Sequence, residues 1–184
     1  MANKPEAGDL LLSVKDSWLS RTIRWFQSRK TGAARVSHAA VVLGQFYGQE
    51  CVIEALHTVQ INPLSKYDEQ RFIIYRPPWP KGVREGLARK LIQEVHKGRY
   101  GYLKLLLIAA DSLIPGQWYP FTKILGIGHF KVCSHLFAWG AKKLGYPIHV
   151  NQHTVDWRIV TPDFLDDVAR SQDWVVVKDR LMLE

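Results

Sequence analysis

A chain of 184 residues, 47% hydrophobic and 23% charged, has the make-up of an ordinary globular protein, with no internal repeat, low-complexity tract or linker, and is expected to form a single domain over residues 1–184. Two cysteines exclude a disulfide-built scaffold, so both thiols are expected to be free and the compartment reducing. The net charge of +8 suits solubility or an anionic partner such as cell-wall polymer, acidic lipid headgroups or nucleic acid, but the densest basic run, Arg21 to Arg35, lacks any nucleic-acid motif, so no specific nucleic-acid partner is expected.

Taken in chain order, Gly8 to Val14 reads as a first strand. Its apolar run, Leu10 to Val14, is too short, and too closely preceded by Glu6 and Asp9, to be a secretory signal. A cytoplasmic protein is therefore expected, or one released by lysis, as from a phage. Asp16 or Ser17 caps a helix to about Arg29, with Trp18, Leu19, Ile23 and Phe26 on one face and arginines mostly on the other. That face suits core packing, and its Trp and Arg also suit an anionic membrane surface. Strands follow at Val36 to Leu43, Cys51 to Leu56, Thr58 to Ile61 and Gln70 to Arg76. Their short connections predict an antiparallel sheet.

Pro77 to Pro80 punctuates the chain, and the spacing of Val83, Leu87, Leu91, Ile92 and Val95 predicts a helix from Lys81 to Lys97, ended by Gly98. Tyr102 to Leu113 reads as a more buried helix; Lys104 and Asp111 break the apolar run Leu103 to Ile114, which falls short of the roughly 20 residues of a membrane span. Pro115 to His129 is an aromatic loop. A helix begins at Cys133 and is ended by Gly145, and a loop runs on through Asn151. Thr161, Pro162 and Asp163 form a helix start, and Trp174 to Val177 a closing strand. A strand-rich half before a helix-rich half predicts an α+β fold.

Cys133 is the leading candidate for chemistry. A thiol in a helix's first turn faces unpaired N–H groups and the positive end of the dipole, which favours the thiolate. Cys51, inside an apolar strand, reads as a small hydrophobe. His38 and Glu54 are awkward in their strands, because a carboxylate between Ile53 and Ala55 is costly to bury unpaired. If the two strands pair around the turn at 44–49, Glu54 and His38 meet across the ladder and each explains the other. A cysteine, a histidine and a carboxylate are the parts of a cysteine hydrolase. Asp156 is a weaker substitute for Glu54. Zinc is the chemical rival through His149 and His153 or Cys133 and His135, but four-residue spacing suits zinc on a helix, and Pro147 and Asn151 argue against one. No metal or other cofactor is expected.

The ordered set Gly8-Asp9-Leu10-Leu11, Ser37-His38, Val52-Ile53-Glu54-Ala55, Gly98-Arg99-Tyr100, Val132-Cys133-Ser134 and Thr161-Pro162-Asp163-Phe164-Leu165 resembles the circularly permuted members of the NlpC/P60 papain-like superfamily, closest to the YiiX-like and YaeF-like branch. In ordinary members the nucleophile helix precedes the histidine strands; here the histidine comes first. The resemblance implies a papain-like fold, with Cys133 as nucleophile, His38 as base, Glu54 as the orienting group and Tyr100 as the active-site tyrosine after a glycine. It also implies a cysteine peptidase or amidase that forms an acyl-enzyme on a peptide or muropeptide amide. One position departs: the branch commonly has Cys-Ser-Glu, and here His135 stands third. Two other functions fit the same shell. One is a lipid-directed acyl hydrolase or acyltransferase like lecithin–retinol acyltransferase, although such proteins usually carry a histidine where Glu54 stands. The other is a non-catalytic binding module.

Overall fold

The computed structural model describes residues 4–14, 21, 34–56, 58–95 and 133–181. The strands arise where the sequence runs apolar. β1 (Leu10–Val14), β2 (His38–Phe46), β3 (Gln49–Ala55), β4 (Val59–Pro63) and β5 (Arg71–Arg76) are followed, after the helices, by β8 (Val175–Asp179). They form one six-stranded sheet in the order β4-β3-β2-β1-β5-β8, each neighbouring pair antiparallel. β1 lies inside this sheet between β2 and β5, which explains why Leu10, Leu11 and Leu12 are all fully buried: both faces of the strand are covered.

One face carries the helices α1 (Lys81–Ile92), α2 (Cys133–Lys143) and α3 (Pro162–Ser171). Leu10, Leu12, Ile53, Ile73 and Tyr75 pack there against Leu87, Leu91, Leu136, Phe137 and Leu165. The other face holds a smaller cluster in which Leu11, Ala40, Val52 and Phe72 meet Tyr67 and Val177. The architecture is thus mixed α and β, as the order of elements predicts. α3 begins as expected, the Thr161 hydroxyl accepting the N–H of Phe164 at 3.2 Å.

α1 crosses α2 closely at Gly140, where an added methyl would collide with Leu87 and crowd Leu91. Gly8, at φ +86°, brings the start of β1 against the backbone of Arg84 on α1, an approach that leaves no room for a Cβ. Arg76 then holds Asp9 through two hydrogen bonds of 3.0 and 2.9 Å, and Arg84 reaches Glu6 at 2.8 Å. These contacts fix the N-terminal end of β1, and with it the neighbouring β2.

Some elements differ from expectation. The stretch read as a loop contains the small hairpin β6 (His149–Val150) and β7 (His153–Thr154), turned by Asn151 and Gln152 at φ 49° and 68°. Two-residue strands carry no periodicity to read. α1 stops at Ile92, short of Lys97. The helix at 17–29 apart from Arg21, the helix Tyr102 to Leu113, the loop Pro115 to His129 and the segment holding Gly98 to Tyr100 lie outside the described residues. Among the described residues no helix is long and apolar enough to cross a membrane.

Candidate active site

The site is assembled where a strand start meets a helix start. His38 is the first residue of β2, and Cys133 the first of α2. α2 packs on the helical side of the sheet, whereas His38 alternates with Ala40 and Val42, which belong to the opposite cluster. The two meet at the end of the sheet, where a side chain from either layer can reach the other. Ser134 steadies the first turn of α2, its buried hydroxyl donating to the Val160 carbonyl at 2.7 Å.

β2 and β3 pair antiparallel with Ala40 opposite Glu54, so His38 and Glu54 are diagonal rather than direct neighbours on one face. A diagonal is within reach of long side chains. The His38 Nε2 lies 2.7 Å from Glu54 Oε2. Glu54 is fully buried, and His38 and Cys133 are nearly so, at 9% and 8% exposure.

Sequence reasoning missed what surrounds Glu54. Its Oε2 also accepts the Tyr67 hydroxyl at 2.8 Å, and its Oε1 accepts the Lys66 ammonium at 2.6 Å and the Asn62 amide at 2.9 Å. Lys66 and Tyr67 come from a 3-10 turn, Leu64–Tyr67, and Asn62 from β4. The signal was indirect: a buried carboxylate needs donors, but nothing in the sequence says which residues supply them.

The electrostatics follow from this arrangement. Burial opposes charge on Glu54, but the His38 hydrogen bond and charge, with Lys66 and Tyr67, outweigh it and hold the carboxyl down at about 2. Burial also opposes charge on His38. The charge and hydrogen bond of Cys133, then those of Glu54, overcome it and raise the imidazole to about 9. For Cys133, burial disfavours the thiolate, yet the His38 charge and hydrogen bond and the N–H groups of Ala39 and Ser134 bring the thiol below its ordinary value. Tyr67 is pushed well up, first by burial and then by the charges of Glu54 and Cys133. With Nε2 against Glu54, Nδ1 is the ring nitrogen left for the sulfur. Cys51 behaves otherwise: it is buried, its thiol donates weakly to the Phe46 carbonyl at 3.8 Å, and burial raises its pKa.

The remaining sequence candidates separate. Tyr100 lies outside the described residues. Asp156 is held by Arg158, with Nε–Oδ1 at 2.9 Å and Nη2–Oδ2 at 2.6 Å, whereas the carboxylate bonded to His38 is that of Glu54. His135 is buried, with its ring edge-on to Trp157 at 6.0 Å. His149 and His153 are exposed on separate strands of the β6–β7 hairpin, not on a helix. Among the described residues, no group of three or more His, Cys, Asp or Glu side chains converges as metal ligands would. Glu54 has no lone pair to offer, since four donors already fill its two oxygens.

No protein-family model matches the chain, and no curated protein matches it in sequence. Among solved structures, the crystal structure of the metalloprotein YiiX from Escherichia coli O157:H7 superposes with a TM-score of 0.55, covering 90% of this chain and 81% of that one at 14% identity. At that identity the likeness is one of fold: the sheet and helices that frame His38, Glu54 and Cys133 are arranged in a YiiX-like fold.

Proposed function

We propose that this chain is a cysteine hydrolase of the circularly permuted, papain-like kind that cleaves an amide bond through an acyl-enzyme. The observation that carries the reading is His38 hydrogen-bonded both to a buried carboxylate, at 2.7 Å, and to the Cys133 side chain. Cys133 is the nucleophile, His38 the general base and Glu54 the group that orients the ring. Tyr100 is the remaining member of the proposed site, as an oxyanion donor.

In the resting enzyme the Cys133 proton sits on His38, giving a thiolate–imidazolium pair. The thiolate adds to the amide carbonyl carbon. Backbone donors at the start of α2 stabilise the oxyanion; each such donor is typically worth about 10²–10³ in rate. The C–N bond then breaks, and the imidazolium gives its proton to the leaving amine. Water, deprotonated by His38, attacks the thioester, and the acid departs as the thiol returns. Peptide stems of peptidoglycan suit this chemistry, and the +8 charge suits anionic wall material.

The neighbouring YiiX structure is described as that of a metalloprotein, which raises a metal held by the same groups. The donors here do not fit one: Glu54 is saturated, and His38 Nε2 is committed to it.

Iodoacetamide labelling at mildly acidic pH, mapped by mass spectrometry, tests the proposal. Cys133 is expected to react at least about 10-fold faster than Cys51, because only thiolate reacts. Cys133→Ala should abolish that adduct and any amidase activity. Equal labelling of the two cysteines overturns the reading and favours a binding module, and amidase activity surviving Cys133→Ala overturns Cys133 as the nucleophile.

A further inference from the structure

The proposed resting state poses a charge problem. A Cys133 thiolate, a His38 imidazolium and a Glu54 carboxylate sum to one net negative charge in a site that water barely reaches. An uncompensated buried charge is expensive, and the ordinary escape is to take up a proton, here on the sulfur. Lys66 brings the sum to zero. Its ammonium lies 2.6 Å from Glu54 Oε1, on the oxygen that His38 does not use.

We propose that Lys66 is a positioning residue acting through Glu54, supplying the fourth charge that lets the thiolate and the carboxylate coexist in one buried site. The inference rests on the hydrolase reading above. Two features argue that the contact is built rather than incidental. First, the turn is anchored: Leu64 and Tyr67 are buried, the Asp68 N–H donates to the Ser65 carbonyl at 3.0 Å, and the Gln70 amide donates to the Lys66 carbonyl at 3.0 Å. Second, the Lys66 side chain is 29% exposed while Glu54 is 0% exposed, so a charge from the rim reaches a carboxylate that solvent does not.

Among the described residues, the titratable groups joined to the pair by hydrogen bonds or charge are His38 on β2, Glu54 on β3, Lys66 and Tyr67 on the turn and Cys133 on α2, and the exposed Asp68 caps the same turn. β1 presents Ser13, a neutral residue, opposite His38. Among the described residues, Lys66 is the cation besides His38 that contacts Glu54.

Removing a cation favours protonated forms nearby, so Lys66→Met should move the pH dependence of Cys133 alkylation upward by about 0.5–1 unit, a roughly 3- to 10-fold loss of rate on its acid side. NMR titration of ¹³C-labelled histidine should show His38, identified by its loss in His38→Asn, shifting the same way. Lys66→Arg should restore the wild-type profile. Tyr67→Phe removes a donor but no charge and should move the profile less than Lys66→Met. If Lys66→Met does not fold, Lys66→Gln, which keeps a donor for Oε1 without its charge, takes its place. The proposal is overturned if wild-type Cys133 is activated but the profile stays put when the charge is removed, even where thermal stability falls. It is also overturned if Lys66→Arg shifts the profile as far as Lys66→Met. Wild-type Cys133 reacting no faster than Cys51 would instead sink the hydrolase reading itself.

Discussion

Glu54 carries a full charge out of reach of water, and its four donors are the reason it can. Burial alone would push its carboxyl up, whereas His38, Lys66 and Tyr67 hold it at about 2. A folded-state value below the unfolded one stabilises the protein above the unfolded pKa, so this contribution is complete above about pH 4.5 and is lost as pH falls through about 2. Glu54→Ala, which leaves Lys66 and His38 without their counter-ion, should cost about 3 kcal/mol or more at neutral pH, measured by urea denaturation. In Glu54→Gln the acid-side loss of stability should flatten, and amidase turnover should fall by up to about 10⁴, as when a histidine loses the carboxylate that fixes its tautomer. The pairing of Glu54 with His38 was legible in the sequence, because a carboxylate and an imidazole in adjacent apolar strands each need a partner. Asn62, Lys66 and Tyr67 were not, since an Asn on an edge strand and a Lys in a turn look like ordinary solvated residues until the chain folds back over β3.

At the scale of elements, the site depends on two register facts: Ala40 opposite Glu54 in the β2–β3 ladder, and the start of α2 at the sheet end where β2 begins. A one-residue slip would turn Glu54 to the helical face and separate it from His38. α2 is seated by its crossing with α1, where Gly140 admits Leu87 and Leu91. Gly140→Ala should destabilise the protein by about 1–3 kcal/mol in chemical denaturation, because both leucines are fully buried and have little room to yield. Cys133 labelling should slow with it as the helix start is displaced. The strands and the Thr161 cap are local features and read directly from apolar runs and a capping residue. The insertion of β1 between β2 and β5 is a pairing choice made across the fold, and a run of leucines does not encode its neighbours.

For the molecule as a whole, the charge of +8 suits an anionic polymer or an anionic membrane as a proposed partner. Under the hydrolase reading the protein should stay in the supernatant with anionic liposomes at about 0.15 M salt, where screening over about 8 Å weakens diffuse attraction. Sedimentation under those conditions would favour the lipid-directed alternative. By itself the sequence determined the α+β class and the three groups on which the chemistry is proposed to rest, because apolar alternation, helix caps and a misplaced carboxylate are properties of short stretches. Only the tertiary structure decided that Glu54 is shared between His38 and Lys66, that Asp156 belongs to Arg158, and that β1 is an interior strand. Those outcomes turn on which distant groups satisfy a buried charge or an open strand edge, and that competition is settled when the layers pack.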